Sequence, residues 1–178
     1  MIRNAIIAGA MLMSTTAFAQ SEPPGATVEV NGMAMYYEIS GQGEPLIVLH
    51  GAYMNIPTMG AIVPRLAESH KVYAIEFQGH GRTSDIDRPV TYPNLADDVA
   101  GFKDALGIEK ADIFGYSMGA ATGLRLAIEH PEKVDRLVAA SVAYDTSGWQ
   151  PAFVEFIPQM VPELFVGIGH GPVLRVAV

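Results

Sequence analysis

The chain has 178 residues, 49% of them hydrophobic and 17% charged, with a mean hydropathy of +0.23; this fits one domain with a substantial core and excludes a disordered chain. It has no cysteine, which excludes a disulfide framework, thiolate metal sites and cysteine nucleophiles. The formal net charge is −8 and no cluster of lysine and arginine occurs, so a phosphate backbone finds nothing to bind and a nucleic-acid partner is excluded.

Residues 1–19 read as a secretory signal peptide. Arg3 makes the first residues positive, Ala5 to Met13 is a short apolar run, and Ala17-Phe18-Ala19 is a small-x-small cleavage signal before Gln20. The run is far short of the roughly 20 residues that cross a bilayer, so no membrane anchor is expected after cleavage, and the chain is expected to be periplasmic or secreted. Residues 20–26, with two prolines and a glycine, form a linker.

Thr27–Val30 and Met33–Ile39 are β-type runs joined at Asn31-Gly32, a strong hairpin signal. Leu46–Leu49 follows as a continuous apolar run without alternation, the pattern of a strand buried on both faces. It ends in His50-Gly51-Ala52-Tyr53, where glycine allows close backbone approach. His50 reads as a histidine that fixes this loop.

Residues 58–69 carry Ile62, Val63, Leu66 and Ala67 at helical spacing, and Lys71–Phe77 is the next buried strand. Gln78-Gly79-His80-Gly81-Arg82-Thr83-Ser84 is a glycine-rich turn at the same end of the sheet. His80 reads as a turn residue, with a ligand or base role as the alternative. Leu95, Val99, Phe102 and Leu106 form an apolar helical stripe, with Asp97, Asp98, Lys103 and Asp104 expected on the outer face.

Residues 112–126 then run from an apolar strand through Gly115-Tyr116-Ser117-Met118-Gly119 into a helix rich in Ala and Leu. This is the setting of a nucleophile elbow, a turn so tight that the serine sits at strained angles with its hydroxyl projecting above the sheet. A Cβ at Gly115 or Gly119 would collide with the crossing strand or helix. The Met118 N–H lies at a helix N-terminus, where it can hold an oxyanion, and the Ala52 N–H is a candidate second donor. The elbow helix stops at Pro131. Val134–Val142, with Leu137-Val138-Ala139-Ala140, reads as another strand buried on both faces, and residues 146–178 as the start of a cap and an irregular tail. The alternation gives an α/β fold, a doubly wound, mostly parallel sheet with an antiparallel N-terminal hairpin.

With His50-Gly51, Gly79-His80-Gly81-Arg82-Thr83-Ser84 and Gly115-Tyr116-Ser117-Met118-Gly119 in this order, residues 27–145 resemble the core of the α/β-hydrolase superfamily. The resemblance implies that Ser117 is the nucleophile and that Ala52 and Met118 supply the oxyanion N–H groups. One departure is Glu76-Phe77 before the glycine-rich turn, where the family usually carries aspartate. Another concerns the family order of serine, acid, then histidine, because only 61 residues follow Ser117. Asp145, after the strand that follows the elbow, is the candidate acid. His130 and His170 do not fit the place of the base.

The expectation is therefore the amino-terminal part of a longer exported serine hydrolase, its sheet incomplete at the C-terminus. It would act on small-molecule esters or related acyl compounds, with activity impaired by loss of the acid and histidine. A non-catalytic binding domain of the same fold is the alternative, and perhydrolysis or carbon–carbon bond hydrolysis is possible on the same scaffold. No cofactor fingerprint occurs, and His50, His80, Asp85 and Asp87 lack metal-ligand spacing.

Overall fold

The computed structural model describes residues 25–143, 148–156 and 158. The expected signal peptide, the first part of the linker, Asp145 and His170 lie outside the described residues. Six strands form one sheet in the order β1-β2-β4-β3-β5-β6. These are β1 (Ala26–Val30), β2 (Met33–Ser40), β3 (Pro45–Leu49), β4 (Lys71–Ile75), β5 (Ala111–Tyr116) and β6 (Val134–Ala140). β1 runs antiparallel to β2 and β2 antiparallel to β4. The β4-β3-β5-β6 half is parallel throughout. The hairpin turn places Asn31 at φ 48° and Gly32 at φ 86°, the paired left-handed conformation that matches the twist of the strands it joins.

Both faces of the central strands are covered. Ile47, Leu49, Tyr73, Ile75 and Ile113 face α2 (Tyr92–Ala105) and Leu126 of α3 (Met118–Glu129). Their neighbours Leu46, Val48, Val72 and Ala74 face the opposite side, against Ile56, Met59 and α1 (Ile62–Leu66). An apolar run without alternation is what such two-sided burial requires.

Three expectations need correction. The helix expected over 58–69 is split into a 3-10 turn, Pro57–Met59, and the five-residue α1. Gly60 separates them at φ 55°, and Pro64 has no N–H to extend the ladder.

Asp98 and Lys103, expected on the outer face of α2, are fully buried. Burial of a charge is tolerated because each finds partners. Asp98 accepts from both Arg88 Nη1 (3.0 Å) and Nη2 (2.5 Å) and from Asn31 Nδ2 (2.8 Å). The Lys103 ammonium donates to the carbonyl oxygens of Lys133 and Glu109. Its burial, with the Lys133 charge beside it, lowers its pKa to about 8.

β6 is the third. It forms over Val134–Ala140 but is not buried on both faces. Among the described residues it pairs with β5 alone, and α3 covers the side where Leu137 approaches Gly123. On the other side Val138 is 56% exposed.

Candidate active site

Three turns meet at the carboxyl end of the parallel strands: after β3 (50–54), after β4 (76–88) and after β5 (116–118). Ser117 occupies the third with φ 53° and ψ −114°, a backbone conformation that a side chain rarely adopts and that needs the surroundings to enforce it. The surroundings are glycines packed on backbone. A Cβ on Gly115 would lie 2.4 Å from the Gly119 carbonyl oxygen, and one on Gly119 would lie 2.3 Å from the Leu49 oxygen and 2.6 Å from the His50 oxygen. The Ser117 N–H donates to Ala140 O at 2.9 Å, which ties the turn to β6. Its side chain does not cap α3, although serine at that position usually does. The hydroxyl is thus not engaged in capping the helix it precedes.

Met118 is the first residue of α3, so its N–H has no partner within the helix. The loop after β3 reaches the same place. A Cβ on Gly51 would lie 3.2 Å from Tyr116 Cδ1 and 3.4 Å from Ser117 Cβ. Ala52, Ser117 and Met118 line one cleft of about 1080 Å³ whose other walls include Leu124, Trp149 and Phe153. Trp149 and Phe153, the latter on α4 (Pro151–Phe156), meet edge to face with ring centroids 5.7 Å apart. The structure therefore brings together the three residues that the sequence assigned to the site. Asp145, the fourth, lies outside the described residues.

His50 is 1% exposed. Its Nδ1 is 2.7 Å from Gly51 O and its Nε2 accepts from the Phe77 N–H at 3.1 Å. Burial, then the neighbouring His80, lower its pKa to about 3, so it is neutral and fixes the loop as expected. His80 is also buried, which lowers its pKa, with Nδ1 2.9 Å from Gln78 O. His70 precedes β4 at the opposite end of the sheet. His130 follows α3, about 18 Å along the helix from its start, and its Nε2 is 2.9 Å from Asp97. Among the described residues no histidine lines the cleft.

The sequence reading missed what Glu76 does. Its buried carboxylate accepts from the Arg82 backbone N–H (2.6 Å), Arg82 Nη2 (2.8 Å) and the Ile56 N–H (3.2 Å). Arg82 also reaches Glu38 at 2.9 Å and lies over the Tyr36 ring at 3.7 Å. The departure noted before the glycine-rich turn is thus an acid that clamps the turn. A Cβ on Gly81 would fall 2.3 Å from Glu76 Oε2. The signal available was an acidic residue in an otherwise apolar strand, which demands a partner. Among the described residues no group of three His, Asp or Glu gathers as metal ligands, and no helix is long and apolar enough to cross a membrane.

Comparison with known proteins bears on this arrangement. A family model described as the alpha/beta hydrolase fold matches residues 44–165. The 2-hydroxymuconate semialdehyde hydrolase of Pseudomonas sp. (strain CF600) is 32% identical over 145 residues, 74% of this chain and 51% of that protein. Esterase YbfF of Escherichia coli (strain K12) is 27% identical over 116 residues, 65% of this chain and 45% of that one. Among solved structures, the enol-lactonase from Burkholderia xenovorans LB400 superposes with a TM-score of 0.66 at 26% identity, over 82% of this chain and 58% of that one. The chain spans about half the length of the curated relatives it matches.

Proposed function

Because the chain belongs to the α/β-hydrolase fold family, we propose that it is a serine hydrolase acting on small-molecule esters or related acyl compounds, with Ser117 as nucleophile. The observation that carries this reading is the turn itself, a serine held at φ 53° at the head of α3 and facing a largely apolar cleft. Strain of that kind persists only where the fold imposes it, and it clusters at functional sites.

In the proposed reaction Ser117 Oγ bonds to the carbonyl carbon and its proton passes to a base. The carbonyl oxygen takes the electron pair and is held by the Ala52 and Met118 N–H groups. Collapse of the adduct expels the alcohol, which takes the proton, and water then cleaves the acyl-serine by the same route. Trp149, Phe153 and Leu124 suit an apolar substituent. Nucleophile and base act as a unit, and a serine hydroxyl without an imidazole is a weak nucleophile.

The absence of a histidine from the cleft among the described residues favours a second reading, a binding domain that keeps the cleft without the chemistry. Hydrolysis of p-nitrophenyl acetate by the chain and its Ser117→Ala variant separates the two. The hydrolase reading expects turnover that falls by on the order of 10⁶ in a fully assembled site and fluorophosphonate labelling confined to Ser117. Turnover unchanged by Ser117→Ala overturns it. Saturable ester binding with neither turnover nor labelling supports the binding domain. The positive start and apolar run of residues 1–19 further support export, which cell fractionation with amino-terminal sequencing of the mature chain tests.

A further inference from the structure

A peptide unit is one rigid plane that carries the carbonyl of one residue at one end and the N–H of the next at the other. The Gly51 carbonyl and the Ala52 N–H are the two ends of one such plane. Whatever grips the Gly51 oxygen therefore sets where the Ala52 N–H stands.

That oxygen has two donors, the Met54 N–H at 3.2 Å and the His50 imidazole at 2.7 Å. The imidazole's role is fixed by its neighbours. A carbonyl oxygen can only accept, so Nδ1 carries the proton; the Phe77 N–H can only donate, so Nε2 presents its lone pair at 3.1 Å. The ring is held in place by Phe77 and His80, with centroids 4.9 Å and 5.2 Å away. An unbroken series of hydrogen bonds thus runs from the Phe77 N–H through the imidazole into the Gly51–Ala52 peptide, and donors in series polarise one another.

We infer that His50 is a positioning residue for the oxyanion site: by donating from Nδ1 to Gly51 O it fixes the Gly51–Ala52 peptide plane and strengthens the Ala52 N–H as a hydrogen-bond donor. This rests on the reading of Ala52 as an oxyanion donor. Its burial keeps the ring neutral, which preserves the donor on one side and the acceptor on the other. Packing alone does not demand this residue, since an apolar ring would fill the same space.

Two substitutions separate the two sides of the ring. An asparagine amide reaches the place of Nδ1, so His50→Asn keeps the donor to Gly51 and gives up Phe77. A glutamine amide reaches the place of Nε2, so His50→Gln keeps Phe77 and gives up Gly51. The 15N resonance of the Ala52 amide, which responds to hydrogen bonding at the preceding carbonyl, is read in the ligand-free protein. Steady-state hydrolysis of p-nitrophenyl acetate is read beside it.

The expected result is that His50→Gln shifts the Ala52 resonance and lowers kcat about tenfold at unchanged KM, short of the roughly 10²–10³ for deleting an oxyanion donor outright. His50→Asn, which keeps the donor to Gly51 and loses only the bond from Phe77, is expected to move both far less. An unmoved Ala52 resonance in His50→Gln, or an equal fall in kcat for the two variants, overturns the inference. If the unaltered chain hydrolyses no ester, the hydrolase reading fails and the Ala52 resonance alone decides the claim about the peptide plane. If His50→Gln does not fold, a long-range 1H–15N spectrum of the imidazole in the unaltered protein decides: the Nδ1–H tautomer is required, and the Nε2–H tautomer overturns the claim.

Discussion

Two turns at the carboxyl end of the sheet are built by opposite means. The turn after β4 is closed by polar side chains: Glu76 clamps Arg82, Gln78 donates to Asp85, Ile86 and Arg88 at 2.9–3.2 Å, and Arg88 reaches Asp98. The turn after β5 is closed by backbone against backbone through Gly115 and Gly119, with no capping bond from Ser117. In the first, the polar groups are used up in holding the loop. In the second, steric closeness does the holding and, among the described residues, the serine hydroxyl makes no capping bond. A site that needs an uncommitted reactive group gains from the second construction.

The largest expected effect comes from breaking the steric turn. In Gly119→Ala the new Cβ meets the carbonyl oxygens of Leu49 and His50 within 2.6 Å, backbone atoms that cannot swing aside, and overpacking of this kind costs about 3 kcal/mol. The thermal midpoint is expected to drop by several degrees, with loss of Ser117 labelling. A fully stable Gly119→Ala protein would contradict the packing account. Breaking the polar turn is expected to do less. Glu76→Gln removes the charge that Arg82 pairs with but leaves Arg82 its contacts with Glu38 and Tyr36, so a loss of about 2 kcal/mol in urea denaturation is expected.

The smallest effect sharpens the comparison at His50, which stands between the two turns. Its folded pKa of about 3 lies below the ordinary 6.5, so between those values the unfolded chain takes up a proton that the folded chain refuses. Stability is therefore full above pH 6.5, falls as pH drops toward 3, and loses about 1 kcal/mol over the first unit. Buried His80, also lowered, adds in the same direction. Urea midpoints measured from pH 7 to 5 test this, and His50→Asn should flatten the slope by about one proton.

The same contrast explains what could be read from sequence. The steric turn was legible because its residues are adjacent and only glycine fits at 115 and 119, so the two glycines around Ser117 announce their geometry locally. The strands were legible where the apolar run was continuous, as in Leu46–Leu49. The polar turn was not, because its partners are dispersed. Asp98 meets Arg88 ten residues back and Asn31 67 residues back, and Lys103 answers to carbonyls at 109 and 133. Helical periodicity records polarity and not pairing, so both residues were assigned to the solvent side. Val138 shows the converse error, since apolar composition alone does not say how many neighbours a strand has.

One wall of the cleft has a practical consequence. Trp149 lines it, and the sequence contains a single tryptophan. The protein's indole emission therefore comes from one position on the wall of the cleft that Ser117 also lines, an intrinsic optical reporter. A molecule settling over the serine should register in its intensity and wavelength without any added label, whether or not a bond is ever broken.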